Sequence, residues 1–404
     1  MKILLITTMY PNPLRENTKV CHYFAKEWVC LGHEVKVVHF RSVFPHIYKL
    51  FMSLFPKFVE RHFGDYKGSD MYDISVLDYD MDGVQVQSLP IYKLIPHRRY
   101  PSSSIKKSID CIRSYLERDS FVPDAIIGHF ANPQMEIVSK LGRIYKNAKT
   151  CVVQHTDNPI QFKKNYPFSY KRILNSFDSI GFRSLPVKNA FEKVYGPMEK
   201  SFLCFSGVPY SYVENIPTSK GFSDMPINNY IYVGQFIARK YPLEVIKSLQ
   251  NVYSNGEYLL TYVGKKEVLY EQIHQYVSDN HLENQVEFTG QIPRDEIIKL
   301  YDQAQCFVMI SREETFGLVY LEAMSRGCIV VASKNEGMEG IIEDGVNGFL
   351  CEAGNQQELE CVLKRINCLS KEQKEQLSQN AVATAKNMTD RRMAEKYLEN
   401  VFKY

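Results

Sequence analysis

Two periods of apolar and polar positions succeed one another along the chain. Residues 2–6 read as a short apolar strand, 21–31 repeat at helical spacing and stop at Gly32, and 34–40 return to a strand pattern. Strand, helix and strand in that order predict a right-handed crossover, and so a doubly wound parallel sheet. Between the first strand and the helix, residues 10–19 form a polar, proline-bearing loop. Ligands of such sheets gather at the carboxyl ends of the strands, where this loop lies. Further strand patterns cover 84–89, a stretch ending at His129, 151–155 and 180–184. After a break they resume at 230–234, 259–264, 286–289 and 306–310. From Cys351 onward helices and short loops alternate, the last helix spanning 391–402, and the chain carries no internal repeat or low-complexity tract.

The break falls at 215–229, where prolines, serines and a glycine predict a linker. A chain of 404 residues also suits two domains better than one. The expected division is a first domain over 1–215, a linker over 216–229, a second domain over 230–388 and a terminal helix over 389–404.

The most informative stretch is 311–322, Ser-Arg-Glu-Glu-Thr-Phe-Gly-Leu-Val-Tyr-Leu-Glu. It joins the apolar run 306–310, short and β-rich enough for a buried parallel strand, to a helix predicted over 317–326 with Thr315 as its N-cap. A helix N-terminus behind a tight loop offers unpaired amides and the positive end of a dipole, which suits a phosphate. Gly317 lets an anion approach the backbone. Glu314 and Glu322 would repel that anion but can accept hydrogen bonds from hydroxyl groups beside it. Phosphate flanked by hydroxyl-rich groups describes a nucleotide sugar. The spacing alone equally fits one carboxylate favouring the helix dipole and a second exposed on the helix.

Glu314, seven residues, Glu322, then 323–332 and 343–349 (Glu-Asp-Gly-Val-Asn-Gly-Phe) resemble the donor-site signature of retaining glycosyltransferase family four. The resemblance implies the GT-B architecture: α/β, two facing Rossmann-like domains, with the C-terminal helix returning to the first. It implies that Glu314 contacts the transferred sugar and that Glu322 holds the ribose hydroxyls. The amides of Phe316, Gly317, Leu318 and Val319 would bind the diphosphate. After Gly234 the family carries an Arg and then a Lys. Lys240 matches the Lys, Gln235 replaces the Arg, and Arg239 is the candidate to supply the missing charge. Tyr241 stands where the family has glycine. Gly290 and Ile292 match the loop that meets the base through backbone groups. His129 matches a histidine lining the cleft beside the sugar, so His129, Glu314 and Lys240 are the catalytic candidates. His155 ends the next strand on the same side and, with Asn17 and Thr18 of the first loop, is an acceptor-binding candidate. That loop departs from the family, which carries glycines there.

Net charge of +3 conceals an asymmetry: residues 1–215 hold 29 Lys and Arg against 20 Asp and Glu, a balance of +9, and the remainder 20 against 26, a balance of −6. A basic first half argues for an anionic partner such as a membrane surface, a lipid-linked phosphate or an acidic sugar. No recognition motif points to nucleic acid. Ten scattered cysteines without a C-x-x-C pair suit buried thiols in a reducing cytosol. The apolar start is too short for a signal core or membrane span, so a cytoplasmic protein is expected, peripheral on the inner face of the cell membrane where it meets lipid. Residues 41–63 place Phe44, Ile47, Tyr48, Phe51, Phe55, Phe58 and Val59 at helical spacing among Lys49, Lys57 and Arg61, with Pro56 dividing two short helices. That pattern fits a core face or an interfacial membrane helix. Asp78 and Asp80 have the D-x-D spacing that other glycosyltransferases use for a metal, but they precede Gly83 and read as a solvated turn.

The resemblance thus implies a retaining, metal-independent transferase with no required cofactor. It would move a sugar from a nucleotide diphosphate sugar, UDP-linked ahead of GDP-linked, to a glycan acceptor. A lipid-linked acceptor in bacterial surface polysaccharide assembly suits the charge. The alternatives are a small soluble acceptor, a non-catalytic nucleotide-sugar-binding subunit, or an epimerase of similar fold.

Overall fold

The computed structural model describes residues 1–13, 18–48, 54–55, 72–95, 98–155 and 159–404. The chain forms two compact units. The first comprises Met1–Arg183, Val187–Cys204 and Ala394–Tyr404; the second comprises Ser184–Pro186 and Phe205–Met393. Residues 205–229, assigned by composition to the end of the first domain and a linker, therefore belong to the second unit.

The first unit is built on strands β1 (Lys2–Thr7), β2 (Glu34–Val43), β3 (Leu77–Met81), β4 (Val84–Tyr92), β5 (Ala125–His129), β6 (Lys149–Gln154), β7 (Ser179–Phe182) and β8 (Ser201–Leu203). Their order is β3-β4-β2-β1-β5-β6-β7-β8. Every pairing is parallel except the β3–β4 hairpin at one edge. Ile3 to Ile6 are fully buried, as an unbroken apolar run in a central parallel strand requires. The order reverses around β1, so the loops after β1 and β5 flank a switch point.

β2 runs past the expected strand end to Val43, so Arg41 to Val43 are strand rather than the start of a helix. Phe44 is buried, whereas Ile47, Leu54 and Phe55 are exposed; most of 49–63 lies outside the described residues. Asp78 and Asp80 sit in β3 of the hairpin: Asp78 accepts from Gln87 and Arg118, and Asp80 caps the Gly83 amide at 3.0 Å.

The second unit carries β9 (Asn229–Val233), β10 (Leu259–Val263), β11 (Val286–Gly290), β12 (Cys306–Val308), β13 (Ile329–Ser333) and β14 (Phe349–Cys351), all parallel, in the order β11-β10-β9-β12-β13-β14. Here the switch point lies between β9 and β12. The former linker is pinned into this unit by buried cations. Arg326 donates to the carbonyls of Tyr212, Glu214 and Asn215, and Lys220 donates to those of Tyr301 and Asp302. Helices Gln356–Asn367 and Lys371–Lys386 follow the sheet, the second opened by a capping box of Ser370 and Gln373. The last helix, Asp390–Phe402, enters the first unit from Ala394, and there Trp28 Nε1 donates to the Ala394 carbonyl at 3.1 Å. No helix among the described residues is long and apolar enough to cross a membrane.

Candidate functional site

The two loops that leave the β9–β12 switch point carry most of the predicted donor residues. After β9, Gly234 is tied to the sheet by its N–H to the Val263 carbonyl at 2.9 Å. The chain then runs through Gln235, which is exposed, to a short 3-10 turn, Ala238–Lys240. Tyr241 follows at φ +49°, a left-handed conformation, which gives a physical reason for a glycine at this position in the family. Its ring lies against Gly354. The helix Pro242–Val252 begins at once, its missing N–H harmless at the first position.

After β12, Met309, Ile310 and Ser311 stay fully buried before the loop surfaces at Arg312 and Glu313. The two loops are stitched together. The Arg312 N–H donates to the Arg239 carbonyl at 2.7 Å, and the Arg239 guanidinium reaches back to the carbonyls of Arg312 and Glu313 at 3.5 and 3.4 Å. Arg239 thus braces the Glu314 loop. The Lys240 ammonium, on a residue only 8% exposed, makes an ion pair with Glu314 Oε2. Ser311 Oγ lies 3.5 Å from the same oxygen, and the Glu314 N–H donates to Glu336 at 2.7 Å. The catalytic candidates Lys240 and Glu314 therefore touch.

The helix after this loop is Leu318–Ser325, and its N-cap is Gly317 rather than the expected Thr315. Gly317 has φ +84° and ψ +62°, and no side chain caps the helix. Leu318 and Val319 are partly exposed residues, and their amides lie in the first turn, where no intrahelical acceptor exists. Phe316 is buried. A Cβ on residue 317 would come within 2.5 Å of the Tyr320 ring. That ring cannot yield: the Tyr320 hydroxyl donates to the Met309 carbonyl at 2.7 Å and meets Ser311 Oγ at 3.0 Å. Burial first, and the Glu314 charge second, push this phenol well above its usual range, so it stays a neutral donor.

Glu322 is 4% exposed, which removes the reading of an exposed helical charge. One carboxylate oxygen accepts from Arg294 Nε at 2.7 Å and the other from the Tyr301 hydroxyl at 3.3 Å. Arg294 opens the helix Arg294–Gln303, two residues after Ile292 and four after Gly290, which ends β11. The loop expected to meet the base and the carboxylate expected to meet the ribose are thereby fixed to each other.

In the first unit His129 ends β5 and is fully buried, with both ring nitrogens engaged. Nδ1 lies 2.8 Å from His155 Nε2, and Nε2 lies 3.1 Å from the Tyr397 hydroxyl. His155 is partly exposed and stacks on Phe130 with 3.9 Å between centroids. Burial, reinforced by the Arg183 charge, drives His129 down to about 3. Burial, then His129 and Arg183, hold His155 well below its ordinary value. Both rings are therefore neutral near pH 7.

Cys21 Sγ joins these two rings in a group whose ligand atoms all lie within 4.8 Å of one another, the metal-competent cluster among the described residues. Burial raises its thiol to about 12, and His129 would have to give up a hydrogen bond to bind an ion. The donor set fits a hydrogen-bonded network better than a metal centre. Thr18 lies partly exposed ahead of the helix Val20–Cys30; Asn17 lies outside the described residues.

Sequence reasoning missed Arg294, Tyr301, Tyr320, Glu336 and Tyr397. Arg294, Tyr301, Glu336 and Tyr397 act on predicted residues from outside the 311–322 motif, whereas Tyr320 lies inside it and acts on its neighbours Gly317 and Ser311. The one signal was Arg294, a cation close behind the Gly290–Ile292 loop.

Residues 219–384 match the family model described as glycosyl transferases group 1. An uncharacterized glycosyltransferase of Methanocaldococcus jannaschii is 26% identical over 250 residues, 60% of this chain. The match covers 66% of that relative, just under two thirds of its length. Among solved structures, a glycosyltransferase from Rickettsia africae superposes with a TM-score of 0.69 at 17% identity, covering 100% of this chain and 98% of its own. The Anabaena protein HepE, solved with UDP, superposes with a TM-score of 0.67 at 19% identity, covering 100% of both chains. These likenesses establish the fold: the two parallel-sheet units are those of GT-B glycosyltransferases.

Proposed function

We propose that the chain, whose residues 219–384 match the glycosyl transferases group 1 model, is a retaining glycosyltransferase using a nucleotide diphosphate sugar. The observation that carries the reading is the convergence of Lys240, Glu314 and the N-terminus of helix Leu318–Ser325 at the switch point of the second sheet. In the reaction, the bond between the anomeric carbon and the β-phosphate oxygen breaks. A bond from the same carbon to an acceptor hydroxyl oxygen forms on the same face, and the departing diphosphate takes the hydroxyl proton. Negative charge grows on the diphosphate, where the Lys240 ammonium and the Leu318 and Val319 amides are fixed donors. Lys240 exchanges Glu314 for phosphate, which leaves Glu314 to accept from sugar hydroxyls. Glu322, held by Arg294, receives the ribose, and Gly290 and Ile292 face the base. No step in this scheme calls on a metal.

UDP is favoured as the carrier, since HepE is a protein of this fold solved with UDP. On the first unit, His155 is the side chain offered to an acceptor hydroxyl, with His129 and Tyr397 positioning it. The +9 balance of residues 1–215 favours a lipid-linked glycan acceptor over a small neutral one. It also favours work at the inner face of a membrane, as in bacterial surface polysaccharide assembly.

Thermal stability against UDP-, GDP-, ADP- and dTDP-sugars tests the donor assignment, with wild type and Glu322→Gln in parallel. One nucleotide series should raise the wild-type midpoint and lose its effect in the variant. An unmoved wild-type midpoint across the panel would defeat the reading.

A further inference from the structure

One buried cation of the first unit, Lys93, has no counter-charge among the described residues. β4 closes its pairing with β2 at Val43↔Tyr92, and the next N–H, that of Lys93, donates to the Val43 carbonyl at 2.8 Å. Lys93 therefore sits at the carboxyl edge of a parallel sheet, the edge where ligands of such sheets bind. It is only 6% exposed. Its ammonium lies 4.7 Å from the centroid of the Tyr100 ring, whose hydroxyl is fixed by Ser42 Oγ at 2.7 Å.

The other buried cations among the described residues are compensated. Lys36 has Asp119, Arg41 has Asp73, Lys240 has Glu314 and Arg326 has Asp302. Lys220, Lys374 and Arg183 donate to backbone carbonyls. Among the described residues, Lys93 has neither a carboxylate nor a carbonyl, only the face of a ring. A ring quadrupole replaces a small part of the hydration an ammonium loses on burial. Burial accordingly lowers this ammonium to about 8, which still leaves it charged at neutral pH. An uncompensated charge held at a ligand edge weakens the fold unless something bound there supplies the counter-charge.

We propose that Lys93 is the docking cation for an oxyanion of the acceptor, a phosphate or a sugar carboxylate. The inference rests on the transferase reading and deepens its acceptor side. The basic balance of the first half draws such a group in, and Lys93 is where it is fixed, with Tyr100 as the wall behind the ammonium.

Calorimetric titration of wild type, Lys93→Met and Lys93→Arg with benzyl phosphate and with glucuronate, UDP in saturating excess, tests it. At least one anion should bind wild type tenfold or more tightly than Lys93→Met, with Lys93→Arg between them; which anion binds names the source. Without ligand, Lys93→Met should melt at or above wild type, since it removes an uncompensated charge. All three proteins should bind UDP alike. Equal binding of both anions to wild type and Lys93→Met, or no binding by either, overturns the proposal. So does a Lys93→Met midpoint well below wild type, which would make the Tyr100 contact structural. Loss of UDP binding by wild type itself would instead defeat the donor reading.

Discussion

Gly317→Ala tests whether the donor loop has the geometry described, and its cost can be worked from two separable terms. The first is conformational: at φ +84° an L-residue pays for the left-handed region, about 1 kcal/mol relative to glycine. The second is steric. The new methyl would lie 2.5 Å from Tyr320 Cδ2 and 3.2 Å from Glu314 Cγ. Tyr320 is 1% exposed, bonded to Met309 and Ser311, and packed edge-on against Phe307 at 5.1 Å. Relief therefore requires moving the loop backbone, an overpacking cost of about 1–3 kcal/mol. Gly290→Ala is the control: its φ is +74°, but nothing lies within 4 Å of the position a Cβ would take. It should cost about 1 kcal/mol and no more. Urea unfolding followed by far-UV circular dichroism gives both losses, and UDP titration reports the loop. We expect Gly317→Ala to lose about 2–4 kcal/mol in all, and UDP affinity with it. A Gly317→Ala protein as stable as Gly290→Ala and binding UDP at wild-type strength would refute the reasoning.

The ion pair at the switch point predicts an asymmetry: Lys240→Met should weaken UDP binding by roughly tenfold or more, whereas Glu314→Gln, which frees the ammonium, should not weaken it. Equal losses in the two titrations would make the pair a structural bridge. Burial lowers His39 to about 4 and His129 to about 3, so in acid the unfolded chain takes up protons that the native state refuses. Their neutral forms are compatible with full stability above about pH 6.5, and stability falls as the pH drops from there, by about 2 kcal/mol for each ring at pH 5. Urea midpoints at pH 7.5, 6 and 5 measure this, and an unchanged unfolding free energy over that range would contradict it.

Much of the local structure around the proposed donor site was legible because its motif is local. The run 306–310, the loop to Gly317 and the helix beyond are contiguous, so strand, turn and helix preferences act on neighbouring residues. The N-cap was misplaced by two residues. Thr315 has the chemistry of an N-cap, but the chain first turns left-handed at Gly317, and only then can the helix begin. Residues 41–43 were drawn into a helix by the spacing of aromatics beyond them, whereas pairing with 90–92 extends β2 to Val43. A cross-strand partner outweighed a local period.

Sequence by itself determined the α/β class of the fold, most of its strands in chain order though not β3, β8, β13 or β14, and which contiguous residues form the loop proposed to hold the donor. It did so because periodicity, capping and turn chemistry are short-range. Only the tertiary structure decided what those residues do to one another. Lys240 meets Glu314 from 74 residues away, Glu322 is gripped by Arg294 across 28, and His129 is held by Tyr397 across 268. It also left Lys93 buried beside a ring without a counter-charge among the described residues. Such pairings follow from strand order and from which faces are buried, and no short-range preference encodes either.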